Sequence, residues 1–233
     1  MKTTHHGDYL IKLTRFLGLI NCFLVREDDG LTLIDTNLPG STNDILAAAG
    51  AAGLPITRIL LTHAHMDHVA SLDALHAALP TAEVGIGERE ARLLAGDKSL
   101  DAGEPGETLR GSYHVCQTKP TLLLQPGQQV GSLQAVAAPG HTPGQMAYLD
   151  TRDNTLIVGD AFQTQGGIAV SGVIRPLFPF PALATWHKPT ALQTARALRA
   201  LEPARLAAGH GPVLEAPLAA MDEAIAIAGR RFS

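Results

Sequence analysis

Four side chains able to bind a metal ion fall within six residues of this chain: His63, His65, Asp67 and His68, in the run Thr62-His63-Ala64-His65-Met66-Asp67-His68. The run follows a short apolar segment, 58–61, and precedes a stretch of helical periodicity, 69–79. A strand-to-helix turn exposes several side chains in one place, which a short segment must do to grip an ion. Three further donors obey the same grammar. His141 follows the apolar run 133–138 through Pro139-Gly140, Asp160 follows 155–158 through Gly159, and His210 follows 205–208 through Gly209. The ends of strands are where ligands collect in sheets of this kind. Seven nitrogen and oxygen donors are too many for one tetrahedral ion, but they suit two ions that share a carboxylate.

The elements that must position these donors follow from periodicity and turn signals. Residues 9–16, 20–25 and 31–34 carry alternating or continuous apolar side chains, the last two separated by a D-D-G turn, and read as strands. Helices are expected at 44–52, 69–79, 88–95, 190–202 and 216–230, and further strands at 58–61, 83–86, 121–124, 128–130, 133–138, 145–149, 155–159 and 204–208. Residues 96–120 and 162–188 lack periodicity and read as loops. Strand-rich segments interleaved with helices, twice over, predict an α/β chain with two sheets packed together and helices outside. No Ser- or Pro-rich linker divides the halves, so a single domain over 1–233 is expected.

Composition excludes several classes. The chain has 233 residues, 45% hydrophobic and 17% charged, which is globular rather than disordered. Its net charge is −4 with no long run of either sign, so no nucleic-acid surface is expected. No stretch approaches the ~20 apolar residues of a membrane span. No convincing export signal precedes the first strands, and two cysteines, Cys22 and Cys116, make no disulfide framework. A cytoplasmic protein without membrane or nucleic-acid partners is the expectation. Of the remaining histidines, His5 and His6 read as a frayed terminus, and His76 as a surface or core-edge residue.

In this order and with these contexts, the HxHxDH motif at 63–68, the PGHTPG segment around His141, the GDA segment at Asp160 and the GHG segment at His210 resemble the metallo-β-lactamase-fold hydrolase superfamily. The resemblance runs from the opening hairpins to the final GHG. It implies a four-layer αββα sandwich of two mixed β-sheets flanked by helices. It also implies a binuclear site: His63, His65 and His141 on one ion, Asp67, His68 and His210 on the second, and Asp160 bridging. Two such cations roughly 3.5–4 Å apart lower the pKa of a shared water from ~16 towards ~7, yielding a hydroxide that can attack a carbonyl or phosphoryl centre. Asp67 is then the catalytic residue that orients this oxygen or accepts its proton. Asp35, after strand 31–34, matches an acid of the family that orients a histidine ligand, although a turn-forming Asp reads equally well. The donor set suits Zn and tolerates Fe, Mn, Co or Ni.

Negative features narrow the reaction. Zinc β-lactamases of the family place Cys or Ser where this chain has Asp160, and flavin-linked members place Glu where it has His65. The glyoxalase II-like and lactonase-like groups remain. Only 23 residues follow His210, too few for the glutathione-binding extension of glyoxalase II. The segment 162–188 is apolar, carrying Phe162, Ile168, Val170, Val173, Ile174, Phe178, Phe180 and Trp186, and favours a small-molecule substrate with an apolar acyl part. Quorum-lactone hydrolases typically place a Tyr shortly after the bridging Asp; this chain departs from that pattern with Phe162, which is kept as a candidate substrate contact, and has no tyrosine between 149 and 233. His187, beside Trp186 and ahead of Pro189, is either a substrate contact or a structural residue. The expected function is hydrolysis of an ester-like bond (thioester, lactone or ester). The alternative is a mononuclear iron sulfur dioxygenase of the same fold, and a third reading is a non-enzymatic binding module.

Overall fold

The continuous apolar character of β3 (Ile20–Glu27) and β4 (Gly30–Ile34) is explained by burial on both faces: Cys22, Leu24, Leu31, Leu33 and Ile34 are inaccessible to solvent. These strands belong to a computed structural model that describes residues 1–232. The described residues form two compact units, 1–96 with 113–124, and 97–112 with 125–232.

In the first unit, one mixed sheet runs in sequence order. β1 (Lys2–His6), β2 (Leu10–Arg15), β3 and β4 form an antiparallel meander, with Thr14 opposite Asn21 and Phe23 opposite Ile34. β5 (Ile56–Leu61), β6 (Glu83–Gly87) and β7 (Leu122–Leu124) then add in parallel. Parallel pairing requires crossovers. They are supplied by α1 (Thr42–Ala52), by α2 (Met66–Val69) with α3 (Leu72–Ala78), and by α4 (Glu88–Leu94).

In the second unit, the sheet order is β15-β14-β11-β10-β9-β8. β8 (Gln129–Val130), β9 (Leu133–Ala137), β10 (Met146–Asp150) and β11 (Thr155–Ile157) are antiparallel neighbours. β14 (Arg205–Ala207) joins β11 in parallel, and β15 (Leu214–Glu215) closes the edge antiparallel. A two-stranded ribbon of β12 (Phe162–Gln163) and β13 (Ala169–Val170) precedes α5 (Phe180–Leu183), α6 (Lys188–Arg199) and α7 (Leu218–Phe232). α6 buries Ala191, Thr194, Ala195 and Leu198, and α7 buries Met221, Ala224 and Ala228. The spacings are those of a single helical face, and Ala195, Leu198, Met221, Ala224 and Ala228 meet Leu156, Val158, Phe162, Val170 and Leu206 in one cluster. Each large side chain buried here contributes about 1.5–3 kcal/mol of transfer free energy.

The α/β class with two mixed sheets is therefore as expected, and three local expectations are corrected. His5 and His6 are not frayed: they lie in β1, His5 opposite Ile11 and His6 opposite Leu10. A polar edge strand shows no apolar alternation, so only its partner reveals it. The helix read over 69–79 is broken between Val69 and Leu72. There the Ser71 hydroxyl donates to Leu38 O and accepts from Ser41 N, an alternative to the helical ladder that serine readily takes. The stretch 162–188 contains β12, β13 and α5, all too short to carry a period. No helix among the described residues is long and apolar enough to cross a membrane.

Candidate functional site

The histidine-rich run of the first unit occupies the turn between β5 and α2. His65 caps α2 with an extended backbone, φ −71° and ψ 148°, and its carbonyl accepts from His68 N at 2.9 Å. Ala64, between two histidines, is pinned on both backbone atoms. Its N–H donates to Oε1 of Glu90 at 2.9 Å, and its carbonyl accepts from His114 N at 3.1 Å. Glu90 projects from α4 and is wholly buried. With the backbone held, alternate side chains diverge: His63 and His68 are inaccessible, His65 is 3% exposed, and the Asp67 side chain is 30% exposed. The ring nitrogens His63 Nε2 and His65 Nδ1 approach to 3.2 Å, and His68 Nε2 lies 3.8 Å from Asp67 Oδ2. Tyr113 bridges the backbone of His65 and sets its ring edge-on to that imidazole, 4.6 Å between centroids. Burial pushes the Tyr113 hydroxyl well above the ordinary phenol range.

Asp35 orders two of these imidazoles. The residue sits at φ +60°, a conformation that Asp tolerates better than most, just beyond β4. Its Oδ1 accepts from Thr62 N at 2.8 Å, while Oδ2 accepts from the Thr62 hydroxyl at 2.8 Å and faces His68 Nδ1 at 2.7 Å. A carboxylate only accepts, so His68 Nδ1 carries the proton. The Thr62 hydroxyl proton goes to Asp35, so its oxygen accepts from His63 Nδ1, 3.0 Å away. Both rings therefore present Nε2 as an electron-pair donor. An imidazole oriented in this way by an outer carboxylate is suited to a divalent cation.

In the second unit, strand ends deliver three donors. Asp160 follows β11, and its Oδ2 lies 3.1 Å from His210 Nε2 and 3.5 Å from His141 Nε2. All three residues are at least 97% buried. One carboxylate oxygen thus converges on two imidazole nitrogens, the nearer within hydrogen-bond reach, and buried oxygen and nitrogen donors gathered in this way suit a divalent cation. Two glycines permit the approach. Gly140, at φ +130°, leads into His141, and a Cβ there would stand 2.4 Å from the Ala191 backbone at the start of α6. Gly211, at φ +98°, follows His210, and a Cβ would stand 2.3 Å from Gln165 N. The His141 carbonyl accepts from Trp186 N, and the His210 carbonyl from Thr164 N. Nδ1 of His141 faces the hydroxyls of Ser171 at 3.0 Å and Thr185 at 3.3 Å.

The other sequence candidates fall differently. Phe162 is inaccessible within the core cluster of its unit. His187 caps α6, its Nδ1 meeting Thr190 N at 3.3 Å and the Thr190 hydroxyl at 2.7 Å. The apolar segment divides into two sets. Val170, Val173, Phe178 and Trp186 pack inward, whereas Ile174, Leu177, Phe180 and Leu183 are 50–82% exposed. Phe178 connects these sets to a donor: its ring is 4.9 Å from that of His210 and 5.4 Å from that of Phe180. Glu90, Tyr113, Ser171 and Thr185 were not singled out in the sequence. Tyr113, Ser171 and Thr185 reach a histidine, and Glu90 the amide of Ala64, from distant stretches of chain, and no local spacing announces them.

The chain matches the family described as Metallo-beta-lactamase superfamily over residues 15–210. It is 51% identical over 218 residues to the uncharacterized protein YobT of Bacillus subtilis (strain 168), covering 92% of this chain and 93% of that one. It is 29% identical to a hydroxyacylglutathione hydrolase of Stenotrophomonas maltophilia, covering 60% of this chain and 45% of that longer protein. Among solved structures, TTHA1623 in a di-iron-bound form superposes with a TM-score of 0.65 at 26% identity, over 90% of this chain and 96% of that one. The DIM-1 metallo-β-lactamase shares the fold, with a TM-score of 0.75 at 14% identity over 99% and 97% of the two chains.

Proposed function

The chain belongs to the metallo-β-lactamase superfamily, and from that premise we propose that it is a metal-dependent hydrolase of an ester-like bond, glyoxalase II-like in its donor set and acting as one domain over 1–233. His63, His65, Asp67 and His68 of the first unit and His141, Asp160 and His210 of the second would hold two divalent ions, zinc first among them, with Fe, Mn, Co or Ni accepted by the same atoms. Bound divalent ions supply a lowered pKa for coordinated water and polarisation of the scissile carbonyl.

The observation that carries this reading is the position of Asp160, whose single oxygen lies within 3.5 Å of Nε2 on both His141 and His210. The remaining residues work around the reacting atoms. Asp67 is the most solvent-exposed of the seven donors and stands in the first turn of α2, so its carboxylate can meet an entering water and take a proton at Oδ2. Asp35 and Thr62 hold two imidazoles in one tautomer before any substrate arrives, which avoids reorganisation during the reaction. The exposed set Ile174, Leu177, Phe180 and Leu183 offers apolar surface to an acyl chain, and the Phe178 ring joins it to His210.

The test is a panel of thioesters, lactones and aryl esters on metal-quantified protein. The proposal expects two ions per chain, hydrolysis of at least one class, and turnover in Asp67→Ala lower by ~10²–10⁴-fold, the range of a positioned proton-transfer group. One iron per chain with oxygen uptake on a persulfide would establish the dioxygenase instead. Undiminished turnover in Asp67→Ala would remove the role given to that carboxylate.

A further inference from the structure

Two hydroxyls stand behind Nδ1 of His141, where Nδ1 of His68 faces the Asp35 carboxylate and Nδ1 of His63 the Thr62 hydroxyl. Their protons can be followed because the chain of contacts ends on an atom that can only accept. The Thr185 hydroxyl donates to the Pro181 carbonyl at 2.8 Å. A hydroxyl has one proton, so Thr185 Oγ1 has none left to give. Its 2.9 Å contact with Ser171 Oγ must therefore be a bond donated by Ser171. That uses the only proton of Ser171, so the 3.0 Å contact between Ser171 Oγ and His141 Nδ1 requires the imidazole to donate. The second contact, Nδ1 to Thr185 Oγ1 at 3.3 Å, has the same polarity. Ser171, Thr185 and the His141 ring are all at least 97% buried, so water does not compete for these bonds.

We infer that Ser171 and Thr185 are positioning residues that form a one-way relay, His141 Nδ1–H to Ser171 to Thr185 to the Pro181 carbonyl, which keeps a proton on Nδ1 of His141 and turns Nε2 towards Asp160 Oδ2, 3.5 Å away. The relay stands on hydrogen-bond polarity alone; its value for metal binding rests on the function proposed above. It also ties the imidazole to α5, because Pro181 lies in that turn between the exposed residues Phe180 and Leu183. His141 and the apolar segment are thus held by the same hydroxyls.

The relay makes an unequal prediction for its two members. In Ser171→Ala, Thr185 Oγ1 still cannot donate and still lies 3.3 Å from Nδ1, so the tautomer persists. In Thr185→Val, Ser171 regains a free proton and can donate to Nδ1, so the tautomer is lost although the nearer hydroxyl remains. Thr185→Ser restores the relay. The experiment is long-range ¹H–¹⁵N correlation of the imidazoles in metal-free, folded full-length protein, followed by titration with Zn²⁺ alone. The wild type, Ser171→Ala and Thr185→Ser are expected to show Nδ1–H at His141. Thr185→Val is expected to show a mixed or Nε2–H ring, with zinc affinity lower by about 10- to 100-fold, the range for loss of an orienting partner. A tautomer change in Ser171→Ala but not in Thr185→Val overturns the relay, as does an Nε2–H ring in the wild type. A wild type that shows the expected tautomer but takes up no zinc leaves the relay standing and overturns the metal site.

Discussion

Oδ2 of Asp35 lies 2.7 Å from Nδ1 of His68, and both side chains are at least 97% buried. The same oxygen accepts the Thr62 hydroxyl, so one carboxylate sets the ring polarity of two histidines, directly for His68 and through Thr62 for His63. Asp35→Asn keeps the shape and tolerates the φ of +60°, but it places an amide donor against a donor whichever way it is turned. The expected outcome is a folded protein whose metal affinity falls by roughly 10- to 100-fold, read by metal content after dialysis against a competing chelator. Wild-type metal content under the same dialysis would show that Asp35 is only a turn residue.

Glu90 should matter for stability through its contact with the backbone of Ala64. Its buried carboxylate accepts from Ala64 N, and Glu90→Ala leaves that amide without its partner in a dry site. The cost is about 2 kcal/mol, whereas Glu90→Gln keeps an acceptor and should cost less than half of this. Urea unfolding of the two variants separates a hydrogen-bond role from a charge role: equal losses would mean that the charge, and not the acceptor, is what the fold uses.

Substrate length should be sensed by the exposed apolar side chains near α5. Phe180 and Leu177 are 65% and 82% exposed, so Phe180→Ser and Leu177→Ser should change stability by no more than about 0.5 kcal/mol. On long-chain acyl esters each should lower kcat/KM by roughly tenfold, equivalent to about two methylenes of lost burial. Acetyl esters should be almost unaffected. A uniform loss over all chain lengths would argue that this segment shapes the site rather than recognising the acyl group.

Both thiols should be silent in the native state. Burial pushes Cys116 up to about 12 and Cys22 beyond that. The folded chain then holds protons that the unfolded chain releases near pH 8.5, so stability is full below that pH and is lost as pH rises towards the folded values. Urea midpoints should decline between pH 8 and 10, and less steeply in a Cys22→Ala, Cys116→Ala variant. Thiol reagents at pH 8 should label only the denatured protein. Rapid native labelling would contradict the burial of these side chains.

The sequence by itself determines whatever the chain expresses locally. The apolar runs of β3 to β5 encode burial on both faces, and a strand end followed by glycine and a donor recurs at His141, Asp160 and His210. The four donors of 63–68 fall within six residues, so their chemistry is visible in six letters. Segments of two to four residues, such as β12, β13 and α5, complete no period, and the polar strand β1 carries no apolar alternation.

Tertiary structure decided everything that depends on a partner remote in sequence. Asp35 reads equally as a turn residue until His68, 33 positions away, is found on its Oδ2. Glu90 is an ordinary helix-starting acid until the Ala64 amide meets it, and Ser171 and Thr185 are ordinary hydroxyls until His141 stands between them. Phe162 and His187 show the converse: the sequence leaves a substrate contact open for both and a structural role open for His187, and packing puts Phe162 in the core of its unit and His187 on the cap of α6. A donor's identity is a property of its side chain and is written locally. Its orientation depends on which acceptor lies behind it, and that is settled only when distant strands are brought side by side.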